Sequence, residues 1–329
     1  MASMAGAKRK DVARLKRIYS RQREARWGAD YLPSIFATPA EAPSVSRPSI
    51  LTPAKLGRDF HALSIPERTF ALLALYCPSV VDIHEQKMLH TNPAPHPTFG
   101  FPGGTGQCYQ ELPGLIAVAD KLGLLGELPK LHITDPKDHT VRTLVVPYIG
   151  DFLLYFRAFA SSEVYCVNWS VKDKLDAFKR PTIGNKANCE QPKDVEHILI
   201  RHQLEEAYYK AGNIRTIQVA AEQIPKALQA NLEMCFVNHR RKIPQSEIEQ
   251  DLIISRFRAA IAQGIPPSEI LKIDVAAGRI SVADGISLFF KSIWERKLRV
   301  DMFHDIFIDY PVLPEKEDVL DRYASWFAK

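Results

Sequence analysis

From Leu144 to Phe156 the chain reads Leu-Val-Val-Pro-Tyr-Ile-Gly-Asp-Phe-Leu-Leu-Tyr-Phe, an apolar run in which Asp151 is the only residue charged at neutral pH. Cys166-Val-Asn-Trp-Ser-Val-Lys172 follows with strict alternation, placing Val167, Trp169 and Val171 on one strand face and Asn168, Ser170 and Lys172 on the other. These patterns predict strands around 141–156 and 163–172. Helical spacing predicts a helix from Ser64 to about Tyr76, ended by Pro78, a short one over Leu115–Leu122, and a long one from about Asp194 to Gly212. Short strands are expected at 79–84 and 214–219. The order helix, strands, helix, strand describes a compact α/β core.

Beyond Lys226 the pattern turns helical. Ser246-Glu-Ile-Glu249 is a capping box opening a helix that runs to Gly264. Pro266-Pro267-Ser268 opens another that closes near Gly278, and Ser281-Val-Ala-Asp284 opens a third. Met302 to Pro311 reads as a strand pair or wing. Three helices and a β-wing make a winged-helix-like module, with a plain helical docking domain as the alternative. Residues 32–56, rich in Pro, Ser and Ala, read as an extended linker, and 90–139 as an elaborated loop region.

Composition adds an asymmetry. Net charge is +5, yet residues 1–26 hold nine Lys/Arg against Asp11 and Glu24, a surplus of +7, so the rest carries −2. A basic arm of this kind suits a polyanion, though a solvated, partly helical tail fits the same residues. The expected division is a basic arm and linker over 1–45, an α/β domain over 46–226 and a mostly helical domain over 227–329. No apolar stretch approaches a membrane span, and the basic N-terminus lacks the apolar segment of a secretory signal, so the expected location is the cytoplasm, with no membrane partner. Five scattered cysteines (Cys77, Cys108, Cys166, Cys189, Cys235) without a C-x-x-C pair argue against a zinc site or a disulfide framework. Four residues after His84 stands Met88, so H-E-x-x-H is absent. The glycines of Gly100-Phe-Pro-Gly-Gly-Thr-Gly106 lack the G-K-[ST] of a phosphate loop and read as plain loop.

An acid opening one strand and a residue-x-Lys pattern on the next is how a restriction-type nuclease builds its metal site. Phosphodiester hydrolysis needs carboxylates to hold Mg²⁺ and a cation to orient the nucleophile or stabilise developing charge. Asp151 is either such a ligand or a turn acid after Pro147–Gly150. Lys172 is either the cation or a solvated strand end, with Lys174 as fallback. Glu67 is either the second acid or the fourth residue of a capping box, Ser64-Ile-Pro-Glu67.

Ordered segments then resemble the TnsA subunit of heteromeric transposases. Gly28-Ala-Asp-Tyr-Leu-Pro33 is similar to G-x-D-Y-[IL]-P. Gly57-Arg-Asp-Phe-His-Ala-Leu-Ser-Ile-Pro-Glu67 is similar to G-R-x-x-H-x-L-S-x-x-E, and Val80-Val-Asp-Ile-His-Glu-Gln86 to V-x-D-I-R-E-Q. Asp151-Phe-Leu153 matches D-F-L, and Ser170-Val-Lys172 falls on Q-V-K. The helix carrying Glu205-Glu206 and Tyr208-Tyr209, followed by Gly212 and a strand, resembles the end of the nuclease core. The similarity covers roughly 28–90 and 140–225, and the C-terminal helices more loosely.

The resemblance implies a restriction-endonuclease-like PD-(D/E)xK core followed by a winged-helix-like domain that docks on DNA and partners. It implies a Mg²⁺-dependent endonuclease, with Mn²⁺ as substitute, that cuts the 5′, non-transferred strand of double-stranded DNA at transposon ends. The expected partners are a TnsB-like DDE transposase and a TnsC-like AAA+ ATPase regulator, in the cytoplasm of a prokaryote at the nucleoid. By position, Glu67 and Asp151 would bind metal and Lys172 would assist the attacking water. Ser170 stands where the family has glutamine; it would be a weak ligand, or lend only its neighbouring backbone carbonyl. His84 stands where arginine is usual. A non-catalytic assembly subunit bridging transposase and ATPase, or a stand-alone repair or restriction endonuclease, are the other expectations.

Overall fold

The computed structural model describes residues 2–44, 46–104, 109–134, 140–157, 163–179 and 192–329. Two compact units divide the chain: residues 1–68 with 79–221 and Lys329, and residues 69–78 with 222–328.

In the first unit the basic segment is a helix, α1 (Ala2–Gln22). Its Leu15, Ile18 and Gln22 are buried on one helical stripe. Tyr19 Oη meets Thr91 Oγ1 at 3.1 Å, and the Arg21 guanidinium grips Glu41 through both arms at 2.7 and 2.8 Å. The stretch expected as a linker contains β1 (Ser49–Leu51), paired antiparallel with β2 (Phe60–Ala62). Helix α2 (Ile65–Tyr76) starts in this unit, and β3 (Val80–Glu85) follows it. Within 90–139, α3 (Leu115–Lys121) forms as its pattern predicts. That stretch also holds β4 (Lys130–Thr134), which pairs with β5 (Val141–Val145) as a separate antiparallel hairpin.

The apolar run over 141–156 is therefore broken, and the backbone shows why. Pro147 offers no N–H to a ladder. The segment after it bonds to the chain beyond β3: Leu89 N donates to Tyr148 O at 2.9 Å, Gly150 N to Lys87 O at 2.8 Å, and Gln86 N to Asp151 O at 2.9 Å. The strand resumes as β6 (Phe152–Arg157), followed by β7 (Val164–Lys172), α4 (Pro192–Lys210) and β8 (Arg215–Ala220). These make a mixed sheet in the order β3-β6-β7-β8, antiparallel except for β7 and β8. A parallel pair needs a crossover, and α4 lies between β7 and β8 in the chain. Leu153, Tyr155 and Cys166 share a core with Leu204, Tyr208 and Tyr209 of α4. Phe152, on the alternate side of β6, meets Phe60 edge to face at 5.4 Å. The unit is α/β.

The second unit is helical. The later turns of α2 are joined there by α5 (Lys226–Asn238), α6 (Glu247–Ala262), α7 (Pro267–Ala276) and α8 (Val282–Trp294). Both predicted serine caps form. Ser246 Oγ accepts from Glu249 N while Glu249 Oε2 accepts from Ser246 N at 2.9 Å, and Ser281 Oγ accepts from Asp284 N at 3.1 Å. Phe257 and Phe289 meet edge to face at 5.3 Å, and Arg279 pairs with the buried Asp274 of α7 at 2.9 Å.

The expected wing does not form. Residues 302–311 contain no strand, and the nearest pairing is a single bridge between Val300 and Pro314. The amide of buried Asn231 takes the place of a ladder, donating to Met302 O at 3.0 Å and His304 O at 2.7 Å and accepting from Ile306 N at 3.2 Å.

No helix among the described residues is long and apolar enough to cross a membrane. Cys77, Cys166 and Cys235 are buried and in no disulfide, whereas Cys108 and Cys189, and Thr105-Gly106 of the glycine-rich loop, lie outside the described residues.

Candidate active site at the strand ends

Asp151 sits one residue before β6. Because Phe152 pairs with Trp169, it faces the end of β7, where its Oδ2 accepts from Val171 N at 2.7 Å. Among the described residues its other oxygen has no hydrogen-bond partner. The turn role and the availability of the acid thus coexist.

Glu67 lies in the first turn of α2 and is 9% exposed. Its capping role is realised: Oε2 accepts from Leu63 N at 2.8 Å, Ser64 Oγ donates to Oε1 at 3.0 Å, and Glu67 N donates back to Ser64 Oγ at 3.2 Å. Gln86 Nε2 donates to the same Oε2 at 2.9 Å, while Gln86 Oε1 is buried with no partner. Burial, and then the charge of Asp151, raise the Glu67 carboxyl above its ordinary range; the Leu63 and Ser64 hydrogen bonds and the Lys172 charge act in the opposite sense. Gln86 ties the two acids' segments together, donating from Nε2 to Glu67 and from its backbone N to Asp151 O, and the charge of Lys172 reaches Glu67. Lys172, the last residue of β7, is half-buried and makes no ion pair among the described residues. Lys174 is exposed beyond the strand.

Residues of the sequence segments are wired to one another around this site. Gly28 N donates to Asp82 Oδ2 at 2.7 Å and Tyr31 Oη to Glu85 O at 2.7 Å. Arg58 clasps the fully buried Glu85 with two bonds of 2.8 Å, and His61 N adds a third to that carboxylate at 3.1 Å. Glu85 is thereby neutralised beside Gln86, and Gln86 takes a positive φ of 44° as the chain turns toward the site.

Ser170 and Asn168 occupy the β7 face that alternation assigned to them, and the structure supplies the partner that sequence reasoning missed. Glu205 of α4, 4% exposed, accepts from Asn168 Nδ2 at 2.9 Å and from Ser170 Oγ at 3.1 Å on one oxygen. Burial and then the Asp151 charge raise its carboxyl, and the Asn168 hydrogen bond lowers it. The Ser170 proton is thus committed to Glu205. His202, one turn earlier, has both ring nitrogens buried without partners and is held down to about 4 by burial, then by the charges of Lys172 and Arg201. The signal for Glu205 lay in its neighbours, since Leu204, Tyr208 and Tyr209 mark the buried stripe of α4.

Among the described residues no three His, Cys, Asp or Glu side chains cluster as a metal site. A cation here would have the carboxylates of Glu67 and Asp151, with further oxygens from amide, hydroxyl, backbone or water. Mg²⁺ is suited to that set, since it keeps several waters and takes one or two carboxylates. The orphaned Gln86 Oε1 beside Glu67 fits it as well.

No protein-family model matches the chain, and a search of curated proteins returns no match.

Proposed function

We propose that this chain is a metal-dependent DNA endonuclease of the TnsA type, with a restriction-endonuclease-like core. The observation that carries the reading is that Gln86 bonds both Glu67 Oε2 and Asp151 O, while Asp151 Oδ2 takes Val171 N, next to Lys172 at the end of β7. Glu67 and Asp151 would hold Mg²⁺, or Mn²⁺ in its place, which when bound supplies charge neutralisation at the scissile phosphate and a more acidic water. Asp151, tied to Val171 N, presents its second oxygen from a fixed position. Lys172 orients the attacking water or balances the developing charge. Gln86 and Ser64 hold the Glu67 carboxylate in one rotamer, and Ser170 acts through Glu205, which it anchors to the sheet.

The substrate is the 5′, non-transferred strand of double-stranded DNA at transposon ends. The proposed partners are a TnsB-like DDE transposase and a TnsC-like AAA+ ATPase regulator, in a prokaryotic cytoplasm at the nucleoid. The helical second unit supplies the docking surface; α6, α7 and α8 are the three-helix part of a winged-helix-like module without its wing.

One observation favours a second reading. Both Glu67 oxygens are already bonded within the protein, as they would be in a non-catalytic assembly subunit. Asp151→Ala in cells carrying the element separates the two. Transferred-strand joining that continues while the 5′ strands stay uncut supports the nuclease. An unchanged cleavage pattern supports the assembly subunit.

A further inference from the structure

A separate cavity with a mostly apolar wall and a few basic side chains lies in the first unit, on the side of the sheet packed by α4. It encloses about 110 Å³ between the end of α1, the chain after β3, and Leu153, Tyr155, Tyr208 and Tyr209. It shares no lining residue with Glu67, Asp151, Lys172 or Glu205.

Lys87 lines this cavity, and among the described residues no carboxylate lies within ion-pair distance of it. Its amine stands 5.7 Å from the centre of the Tyr31 ring. The one acid nearby is already engaged. Asp82 Oδ2 accepts from Gly28 N at 2.7 Å and meets His84 Nε2 at 3.2 Å, and the other nitrogen of His84 meets Tyr155 Oη at 3.0 Å. Burial pushes the Lys87 amine down to about 8, against the opposing pull of Cys166 and Asp82. His90, on the same wall, is held down to about 4 by burial and then by the Lys87 charge. Lys87 is half-buried, and an ammonium held partly out of water with no counter-ion is costly to keep.

Arg23 and Arg26 line the same cavity. Arg23 is exposed and makes no ion pair among the described residues, while Arg26 reaches Glu24 only at 3.8 Å. Lys87, Arg23 and Arg26 thus line one small space that no Asp or Glu lines, a set of donors matched to a dianionic oxyanion. The space admits an ion of about five heavy atoms with a water or two, and is too small for a nucleoside, since cavities of roughly 150 Å³ hold benzene.

We propose that this cavity binds a phosphate group, with Lys87 as its inner counter-ion and Arg23 and Arg26 at its mouth. The group is carried either by free phosphate or by the terminus of a nucleic-acid strand. The site stands whether or not the chain is a nuclease.

The test is calorimetric titration of the full chain with inorganic phosphate, with chloride at matched ionic strength as the control. Saturable binding of one ion per chain is expected, weakened tenfold or more by Lys87→Met and by Arg23→Ala/Arg26→Ala, and unchanged by Lys121→Ala at the exposed end of α3. Without phosphate, Lys87→Met should melt above the wild type, because an uncompensated charge has been removed. Absence of saturable binding overturns the proposal. So does binding that survives Lys87→Met undiminished, or that Lys121→Ala alone abolishes. If Lys87→Met does not fold, the arginine pair decides by the same criterion. A 5′-phosphorylated oligonucleotide that displaces phosphate where its unphosphorylated twin does not assigns the site to strand ends; displacement by neither assigns it to the free ion.

Discussion

At the scale of single residues, Glu67 serves two purposes with one carboxylate: it caps α2 and it takes the side-chain amide of Gln86, whose backbone N bonds Asp151 O. Its raised proton affinity has a consequence for stability. The folded chain keeps a proton that the unfolded chain releases near its ordinary value of 4.5, so metal-free stability falls as pH rises from there toward about 8. Thermal melting across that interval should show the decline, and either Mg²⁺ or Glu67→Gln should flatten it. An unchanged slope in Glu67→Gln would place the titrating group elsewhere. Asp151→Asn keeps an oxygen for Val171 N and should fold normally, while strand cleavage drops by about 100-fold or more. Lys172→Met should cost cleavage without weakening metal binding. The positions of Asp151 before β6 and Lys172 at the end of β7 were legible because Asp151 interrupts an apolar run and Lys172 closes an alternating strand on its polar face. Glu205 was not: of two consecutive glutamates on a helix, nothing in the local pattern says which one turns to the sheet, where Asn168 and Ser170 bond Glu205.

Elements were legible where one local signal dominated. Serine caps placed the starts of α6 and α8, and alternation placed β7. β5 falls within the strand predicted over 141–156, but its partner β4 lies in the stretch that reads as loop, and with β5 mostly exposed no apolar stripe announces that the two pair apart from the main sheet. The wing was misplaced for the opposite reason. Residues 302–311 are apolar enough for strands, yet a distant side chain, Asn231, satisfies their backbone. Asn231→Leu should therefore cost about 2–4 kcal/mol, since buried backbone groups lose their partners; chemical denaturation measures it, and a cost near zero would refute this account of the loop. Helix α1 is anchored by the Arg21–Glu41 clasp. Hydrogen bonding from Arg21 holds the Glu41 carboxyl at about 2, down from 4.5, so this anchor is intact at neutral pH and is lost as pH falls from 4.5 toward 2. Arg21→Met should lower stability by about 1 kcal/mol at neutral pH, with the difference vanishing in acid.

For the whole molecule, charge is as telling as fold. Lys10, Arg14, Lys16 and Arg17 are exposed on α1 while its apolar stripe is buried. If these four meet phosphates, duplex affinity should fall with salt at a log–log slope steeper by about 3 to 4 than that of the fourfold alanine variant. Equal slopes would exclude α1 from the DNA surface. The central claim, however, is a metal-dependent centre at the strand ends. Its most direct test is Mn²⁺ binding to the full chain with a short DNA duplex, followed by electron paramagnetic resonance for wild type and Asp151→Ala. The account predicts saturable binding in the wild type and its loss in the variant. Equal binding in both proteins, or binding in neither, would contradict it.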